Sequence, residues 1–443
     1  MADTIELRAE AEEMSRALLV GVCTGREHAF EVSMRELGEL ALSCGIDPVR
    51  QMTQNLPWED RATCVGPGKV AEIREMADAE ETDLVIFNNT LSPSQIVNLS
   101  KALDTEVIDR TGLILRIFAD HARSREARIQ VEYARLKYML PRLAGLRQNL
   151  SRQGGGTGSR SNRGAGEMQI ELDRRHIERK MSVLRRELEQ IAKNREVQRH
   201  QRSRNSLPLV SMVGYTNAGK STLMNRLIDS SAGWQNVPDE ENHRHVYVED
   251  MVFATLDTTV RRISPEGRRE FLLSDTVGLI NDLPTALVEA FHSTLEEVLK
   301  ADLILEVVDA SDPEHAMHME VTKQTLAELG AGDIPLIEVM NKSDLSDDTD
   351  RAGRVTGGNR IYISAADGSG VEELLGLIDE KLCGERICME LLIPYARMAD
   401  ADLVRRQGMI EEEEYTEEGL RLKAYLDMDL LRRCREYVTD DRR

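Results

Sequence analysis

A short apolar run, Leu207 to Val213, feeds directly into Gly214-Tyr215-Thr216-Asn217-Ala218-Gly219-Lys220-Ser221-Thr222, after which a helical pattern begins. The G-x-x-x-x-G-K-[ST] spacing between a strand and a helix constrains this chain more than any other feature. Its glycines let the backbone wrap a phosphate, and its lysine supplies the countercharge. Backbone N–H groups of Asn217 to Ser221 are predicted to cradle the phosphates, with Gly214, Tyr215, Thr216, Ala218, Gly219 and Thr222 completing the loop. Lys220 is predicted to neutralise the β and γ oxygens, and Ser221 to ligate Mg²⁺.

Three further elements follow in order. A strand at Glu270 to Ser274 delivers Asp275-Thr-Val-Gly278. Asp275 is expected to hold the water shell of the Mg²⁺, and the Gly278 N–H to sense the γ-phosphate. A strand at Leu336 to Met340 runs into Asn341-Lys342-Ser343-Asp344. The Asp344 carboxylate can accept from both N1–H and the exocyclic amine of guanine, donors that adenine does not present. Losing both charge-assisted bonds costs roughly 3 kcal/mol, about a hundredfold in affinity, so GTP is the predicted substrate rather than ATP. Ser364-Ala365-Ala366, after the apolar Ile361 to Ile363, supplies a turn whose backbone can support the base. In Phe253-Ala-Thr255-Leu-Asp257, Thr255 is the expected switch threonine that completes Mg²⁺ coordination, with Thr258 and Thr259 as rivals. Lys220, Thr255 and Gly278 are thus the expected catalytic set.

The rest of the chain divides by pattern. Residues 1–120 alternate short apolar strands (17–22, 84–87) with helical stretches (30–43, 92–103), an α/β arrangement. From about Leu113, apolar residues recur every seven positions through Leu150, predicting one long helix with a coiled-coil-like seam, kinked at Pro141. Residues 151–166, rich in glycine with Arg152, Arg160 and Arg163, read as a tip loop, and a second helix is predicted from about Met168 to Arg204. Residues 121–204 are therefore expected to form an antiparallel hairpin, 205–383 a mostly parallel P-loop GTPase domain, and 384–443 a small α+β domain read as strand, helix, Glu-rich loop and strand. The net charge of −21 hides an asymmetry: His121 to Ser206 carries 21 Lys and Arg against 9 Asp and Glu, a local +12 that leaves −33 for the remainder. One basic segment inside an acidic protein points to a polyanionic partner. Arg142, Arg147, Arg152, Arg174 and Arg175 are the candidate phosphate contacts.

Several features are read as structural. Gly66-Pro67-Gly68-Lys69 is a tight turn opening a helix rather than a second phosphate loop. His243, His245, His315 and His318 lack a clear third ligand and read as packing or surface residues. The six cysteines form no pair or cluster with metal-ligand spacing and read as reduced thiols. No apolar run approaches the ~20 residues that cross a bilayer, and the first residues lack an apolar signal core, so a cytoplasmic monomer is expected.

These residues resemble the HflX GTPases, ribosome-associated P-loop proteins. GYTNAGKSTL, FATLD, DTVGLI followed by LPTALVEAFHSTLEE, and NKSD look like that family's G domain. VGPGK, DRTGLIL, EARIQVEYARLKYMLPRL and ELDRRHIERK look like its N-terminal region, so the resemblance runs from about Leu18 to the C-terminus. The chain departs at GGGTGSRSNRGAGE, longer than the usual GGxGTRGPGE and with Ala165 where proline is usual. Leu279 stands for a typical phenylalanine and Thr258 for a typical proline. The resemblance implies a GTPase that binds the large ribosomal subunit and its rRNA, splits or rescues stalled ribosomes under stress, and is stimulated by the ribosome. Asn217 resembles the asparagine by which related GTPases hold K⁺ beside the β and γ phosphates. Leu279, where Ras-like enzymes carry the glutamine that positions water, implies slow intrinsic hydrolysis. Two other classes compete with this reading. One is a regulatory GTPase whose hairpin binds a protein partner, separable by co-sedimentation with ribosomes. The other is an ATP-driven RNA remodeller, against which Asn341 and Asp344 argue.

Overall fold

The computed structural model describes residues 14–25, 27–152, 160–203, 207–230, 259–265, 268–275, 278, 298–346, 352–383, 387–426 and 428–439. They divide into two compact units that part after Glu189. In the first unit, β1 (Ser15–Cys23), α1 (Glu27–Ser43), β2 (Ile46–Asn55), α2 (Pro67–Ala79), β3 (Leu84–Phe87), α3 (Pro93–Leu103) and β4 (Glu106–Asp109) form a parallel sheet ordered β2-β1-β3-β4. Parallel strands need cover on both faces. Leu18, Val20 and Val22 of β1 accordingly pack with Ile73 of α2 and Leu99 of α3 in one apolar cluster. Gly66 precedes α2 with Pro67 in its first turn, and the Lys69 ammonium pairs with Glu72 at 2.6 Å. This turn therefore starts a helix, and its lysine is already engaged.

The long helix expected from Leu113 is broken. α4 (Arg110–His121) ends at Ala122, and α5 (Arg125–Arg152) restarts where the Ser124 hydroxyl accepts the Ala127 amide at 3.0 Å. A side-chain cap in mid-seam ends one helix and nucleates the next, at a place the heptad spacing ran straight through. Pro141 lies inside α5. The second hairpin helix, α6 (Arg160–Ser203), begins earlier than glycine content predicts. Residues 160–166 are thus helical rather than loop: Arg160, Arg163 and Ala165 are helix formers, and each glycine costs only about 1 kcal/mol. The remaining tip, 153–159, lies outside the described residues. Lys180 pairs with Glu132 at 2.5 Å and Arg125 with Glu187 at 3.2 Å, stepping in opposite directions along the two helices as an antiparallel hairpin requires.

Asp109, fully buried at the end of β4, roots this hairpin. It accepts from the Leu91 amide (3.0 Å), the Gly112 amide (2.9 Å), the Tyr138 hydroxyl (2.6 Å) and the Arg142 guanidinium (3.0 Å). Arg142 is therefore committed to an internal carboxylate and is removed from the candidate RNA contacts. Arg174 and Arg175 pair with Glu178 and Glu171 one turn away, on the exposed face of α6. The Arg147 and Arg152 side chains lie outside the described ones.

The second unit holds a seven-stranded sheet, β10-β11-β9-β8-β5-β7-β6. Its strands are β5 (Leu209–Val213), β6 (Thr259–Ile263), β7 (Phe271–Asp275), β8 (Leu303–Asp309), β9 (Leu336–Asn341), β10 (Val355–Thr356) and β11 (Arg360–Tyr362). The five inner strands are parallel, while β6 and β10 pair antiparallel at the edges. Helices α7 (Lys220–Asp229), α8 (His315–Leu329) and α9 (Val371–Cys383) belong to the same fold. The C-terminal residues form an antiparallel sheet, β12-β14-β13, of β12 (Ile387–Ile393), β13 (Met409–Tyr415) and β14 (Leu420–Leu426), with α10 (Met398–Gln407) packed on its apolar face. The run expected to be a Glu-rich loop is strand β13. Three of its four consecutive glutamates pair with neighbours, Glu411 with Lys423, Glu413 with Arg405 and Glu414 with Arg421, so the run fits a strand. Among the described residues no helix is long and apolar enough to cross a membrane.

Glu306, in mid-β8, is fully buried, and neither carboxylate oxygen has a hydrogen-bond partner among the described residues. Burial pushes its pKa up from 4.5 to about 7, with Lys323 opposing and Glu338 reinforcing the shift. The folded protein therefore keeps a proton there that the unfolded chain releases, and this stabilisation is lost as pH rises from 4.5 to about 7. Glu306→Gln should remove that pH dependence and stabilise the fold above neutrality by up to about 3 kcal/mol, measured by urea unfolding at pH 5 and pH 8.

Candidate active site: a phosphate loop and a base loop

The P-loop leaves β5, an inner strand of the parallel core between β8 and β7, and closes on the first turn of α7. Only glycine fits its two ends. A Cβ on Gly214 would lie 2.1 Å from the Val307 carbonyl of β8, and one on Gly219 would lie 2.3 Å from the Asn341 amide nitrogen, both at positive φ. Asn217 is also left-handed, at φ 59°, and exposed at the loop's tip. Lys220 is buried, and its ammonium donates to the carbonyls of Gly214 (3.0 Å) and Tyr215 (2.8 Å). Desolvation pushes its pKa down from 10.5 to about 8, against the pull of Asp275. The Ser221 hydroxyl donates to the fully buried Asp275 carboxylate at 3.0 Å, bringing together two hard oxygen groups from α7 and β7. Gly278 lies against the same loop: a Cβ there would meet the Thr216 methyl at 2.7 Å and the Lys220 ammonium at 3.3 Å. Thr222 is partly buried one position beyond Ser221.

The base-side elements are joined to this loop by one side chain. Asn341, buried at the end of β9, donates to the Ala218 carbonyl at 2.8 Å and accepts from the Ala365 amide at 2.9 Å. It thereby ties the P-loop to the Ser364-Ala365-Ala366 turn. Lys342, left-handed at φ 57°, pairs with Asp309 at 2.7 Å. Asp344 sits in a short 3-10 turn and is exposed, while Ser343 beneath it donates its amide to the Ile363 carbonyl at 3.1 Å. Ser364 and Ala365 are buried and Ala366 is exposed. The fold thus brings every described residue of the expected set to one end of the parallel strands, where ligands bind in open α/β sheets. Thr255, its rival Thr258, and Leu279 lie outside the described residues, as do His243 and His245. Thr259, the other rival, begins β6.

Two contributors escaped the motif reading. Arg226, in the second turn of α7, donates through Nε to the Ala365 carbonyl at 3.1 Å and through Nη2 to the Ala366 carbonyl. No motif names this position. The only sequence signal was an arginine beside Leu223 and Leu227 on a helix whose apolar face is buried. Tyr215 stacks its ring on His318 of α8, centroids 3.8 Å apart and planes within 10°. His318 is therefore a packing residue under the P-loop.

Comparison with known proteins places this geometry. Family profiles described as "GTP-binding GTPase N-terminal", "GTP-binding GTPase Middle Region" and "50S ribosome-binding GTPase" match residues 31–119, 121–202 and 209–342. The GTPase HflX of Caldanaerobacter subterraneus subsp. tengcongensis is 41% identical, over 97% of this chain and 95% of its own length. That of Lacrimispora saccharolytica is 42% identical over 97% of each chain. The chain belongs to the HflX GTPase family. It is therefore a GTP-binding, GTP-hydrolysing enzyme. The HflX of Escherichia coli is 38% identical over 86% of this chain and 85% of its own. A GTP-binding protein of Sulfolobus solfataricus solved with GDP is 23% identical, covering 83% of this chain and 99% of that one, with a TM-score of 0.42.

The depressed pKa of Lys220 predicts pH-dependent nucleotide binding in this HflX-family site. Above about pH 8 the free lysine is neutral, while bound phosphate favours its charged form, so binding must take up a proton. GTP affinity is expected to be level up to about pH 8 and to fall towards pH 9, by at most about tenfold per unit. Calorimetry in two buffers of different ionisation enthalpy measures the proton uptake, which Lys220→Met should abolish.

Proposed function

We propose that this chain is a ribosome-associated factor that binds the large subunit through rRNA, splits or rescues stalled ribosomes, and has its GTP hydrolysis stimulated by the ribosome. The observation that carries this reading is the union, in one chain, of a guanine-type P-loop site with a helical hairpin of local charge +12 in a protein of −21. The match to a profile described as "50S ribosome-binding GTPase" supports it. Phosphate contacts by lysine and arginine supply sequence-independent affinity for RNA. Arg152, Arg160 and Arg163 remain the proposed contacts near the tip, with Arg174 and Arg175 behind them in local pairs exposed enough to exchange for phosphate. The protein acts in the cytoplasm as a monomer.

At the site, Lys220 and the amides of Asn217 to Ser221 bind the phosphates. Asp344 accepts from the guanine N1–H and amine, and the Ser364-Ala365-Ala366 turn supports the base. The Ser221 hydroxyl and Asp275 carboxylate, 3.0 Å apart, fit Mg²⁺, a hard cation that takes oxygen ligands. Ser221 and Thr255 would hold it directly and Asp275 through water. Bound there, Mg²⁺ would supply charge neutralisation at the transferring phosphate. Asn217, exposed at the loop tip, would hold K⁺, and the Gly278 amide would sense the γ-phosphate.

Two measurements test these assignments. Asp344→Asn should weaken GTP about a hundredfold and favour xanthosine nucleotides, since the amide donates where the carboxylate accepted. Retention of the wild-type guanine margin would remove the role given to Asp344. In ribosome-profile sedimentation, the protein with a non-hydrolysable GTP analogue should travel with large subunits or ribosomes. With about five phosphate contacts, binding should fall steeply with salt, and Arg152→Ala/Arg160→Ala/Arg163→Ala should flatten the dependence. Failure to co-sediment under any nucleotide would favour a protein partner for the hairpin.

A further inference from the structure

We propose that Arg226 is a positioning residue for base selection, fixing the direction of one backbone amide in the base loop; this rests on the reading of Asp344 and the Ser364-Ala365-Ala366 turn as the guanine site. The argument turns on the peptide unit between Ala365 and Ala366. A trans peptide is planar, and its C=O and N–H point in opposite directions. Arg226 Nε holds the Ala365 carbonyl at 3.1 Å, and Nη2 holds the Ala366 carbonyl, the next along the chain. With the Ala365 oxygen drawn towards α7, the Ala366 N–H of the same plane is turned away from α7.

That amide is distinctive within its turn. Ser364 donates to the Ser369 carbonyl, Ala365 to Asn341, Asp367 to the Ser364 hydroxyl, Gly368 to the Ser364 carbonyl and Ser369 to Asp367. Ala366 alone of these six donates to no acceptor among the described residues, and it is exposed. A spare, oriented donor in the turn that supports the base suits the keto oxygen at C6 of guanine. The 6-amino group of adenine would meet it donor to donor. Arg226 makes its selection without touching the base, because a planar fork spanning two successive carbonyls leaves the peptide no freedom to rotate.

The same contacts close a ring through the nucleotide site. Ala218 of the P-loop is held by Asn341, Asn341 holds Ala365, and Ala365 is held by Arg226 on the helix that the P-loop opens. Selection by the base loop is therefore braced against the element that binds phosphate.

The test compares wild type, Arg226→Met and Arg226→Lys for binding of GDP, IDP and ADP, with inorganic tripolyphosphate as a ligand that has no base. Arg226→Met should weaken GDP and IDP by about tenfold or more, leave ADP and tripolyphosphate near wild type, and so shrink the preference for a 6-keto purine. KM for GTP should rise far more than kcat falls. Arg226→Lys, able to serve one carbonyl at a time, should recover part of the loss. Unchanged GDP affinity in Arg226→Met would overturn the proposal, as would a parallel loss of tripolyphosphate binding, which would mean a damaged helix. Asp344→Asn serves as the control: if it too keeps the guanine preference, the base-site reading has failed, and if it loses the preference while Arg226→Met does not, Arg226 alone is misassigned.

Discussion

Asn341 is the interaction on which the nucleotide site depends. Its side-chain amide has one donor end and one acceptor end of consequence, and each is spent on backbone from a different loop, the Ala218 carbonyl and the Ala365 amide. A buried amide left with an unmet end would cost about 1–3 kcal/mol, so the two loops are held together by the penalty for parting as much as by the bonds. The contact requires the P-loop backbone to come within a few ångströms of β9, and Gly219 allows that approach because any side chain would occupy the place of the Asn341 nitrogen. The motif glycine and the motif asparagine, far apart in the chain, are two halves of one steric fit.

The core strands carry charge to the places where it is used. Asp275 and Lys220 lie buried at one end of the sheet, where the Asp275 carboxylate favours the charged form of the lysine against the desolvation that disfavours it. In the other unit, Asp109 takes the equivalent place at the end of a parallel strand, yet its four partners are all internal. A carboxylate so fully satisfied has no acceptor capacity left for a ligand. The two strand-end aspartates therefore serve opposite purposes, one presenting its charge and the other consuming it in architecture.

Much of this was legible in the sequence, for identifiable reasons. The P-loop, Asp275, Gly278, Asn341 and Asp344 sit at strand ends whose apolar runs and flanking turns mark both the element and its limit. The misreadings came where local preference yields to a partner distant in sequence. A heptad seam ran through Ala122 because apolar spacing does not register that Ser124 caps a new helix. The run of four glutamates read as loop because the partners of three of them, Lys423, Arg405 and Arg421, stand elsewhere in the chain. Arg142 looked like one more surface cation of a basic helix until Asp109 was found beneath it. Arg226 lay hidden because its task is to hold main chain, which no residue pattern encodes.

The root of the hairpin has a consequence for how the first unit comes apart. Asp109 gathers the loop before α3, the start of α4 and two turns of α5 onto a single buried carboxylate. Removing any one donor leaves the others facing an under-solvated charge, so each departure raises the cost of keeping the rest in place and admits water that loosens them all. Opening there is concerted: the base of the hairpin does not fray bond by bond, and the sheet end, α4 and the near half of α5 exchange their amides with solvent as one cooperative unit.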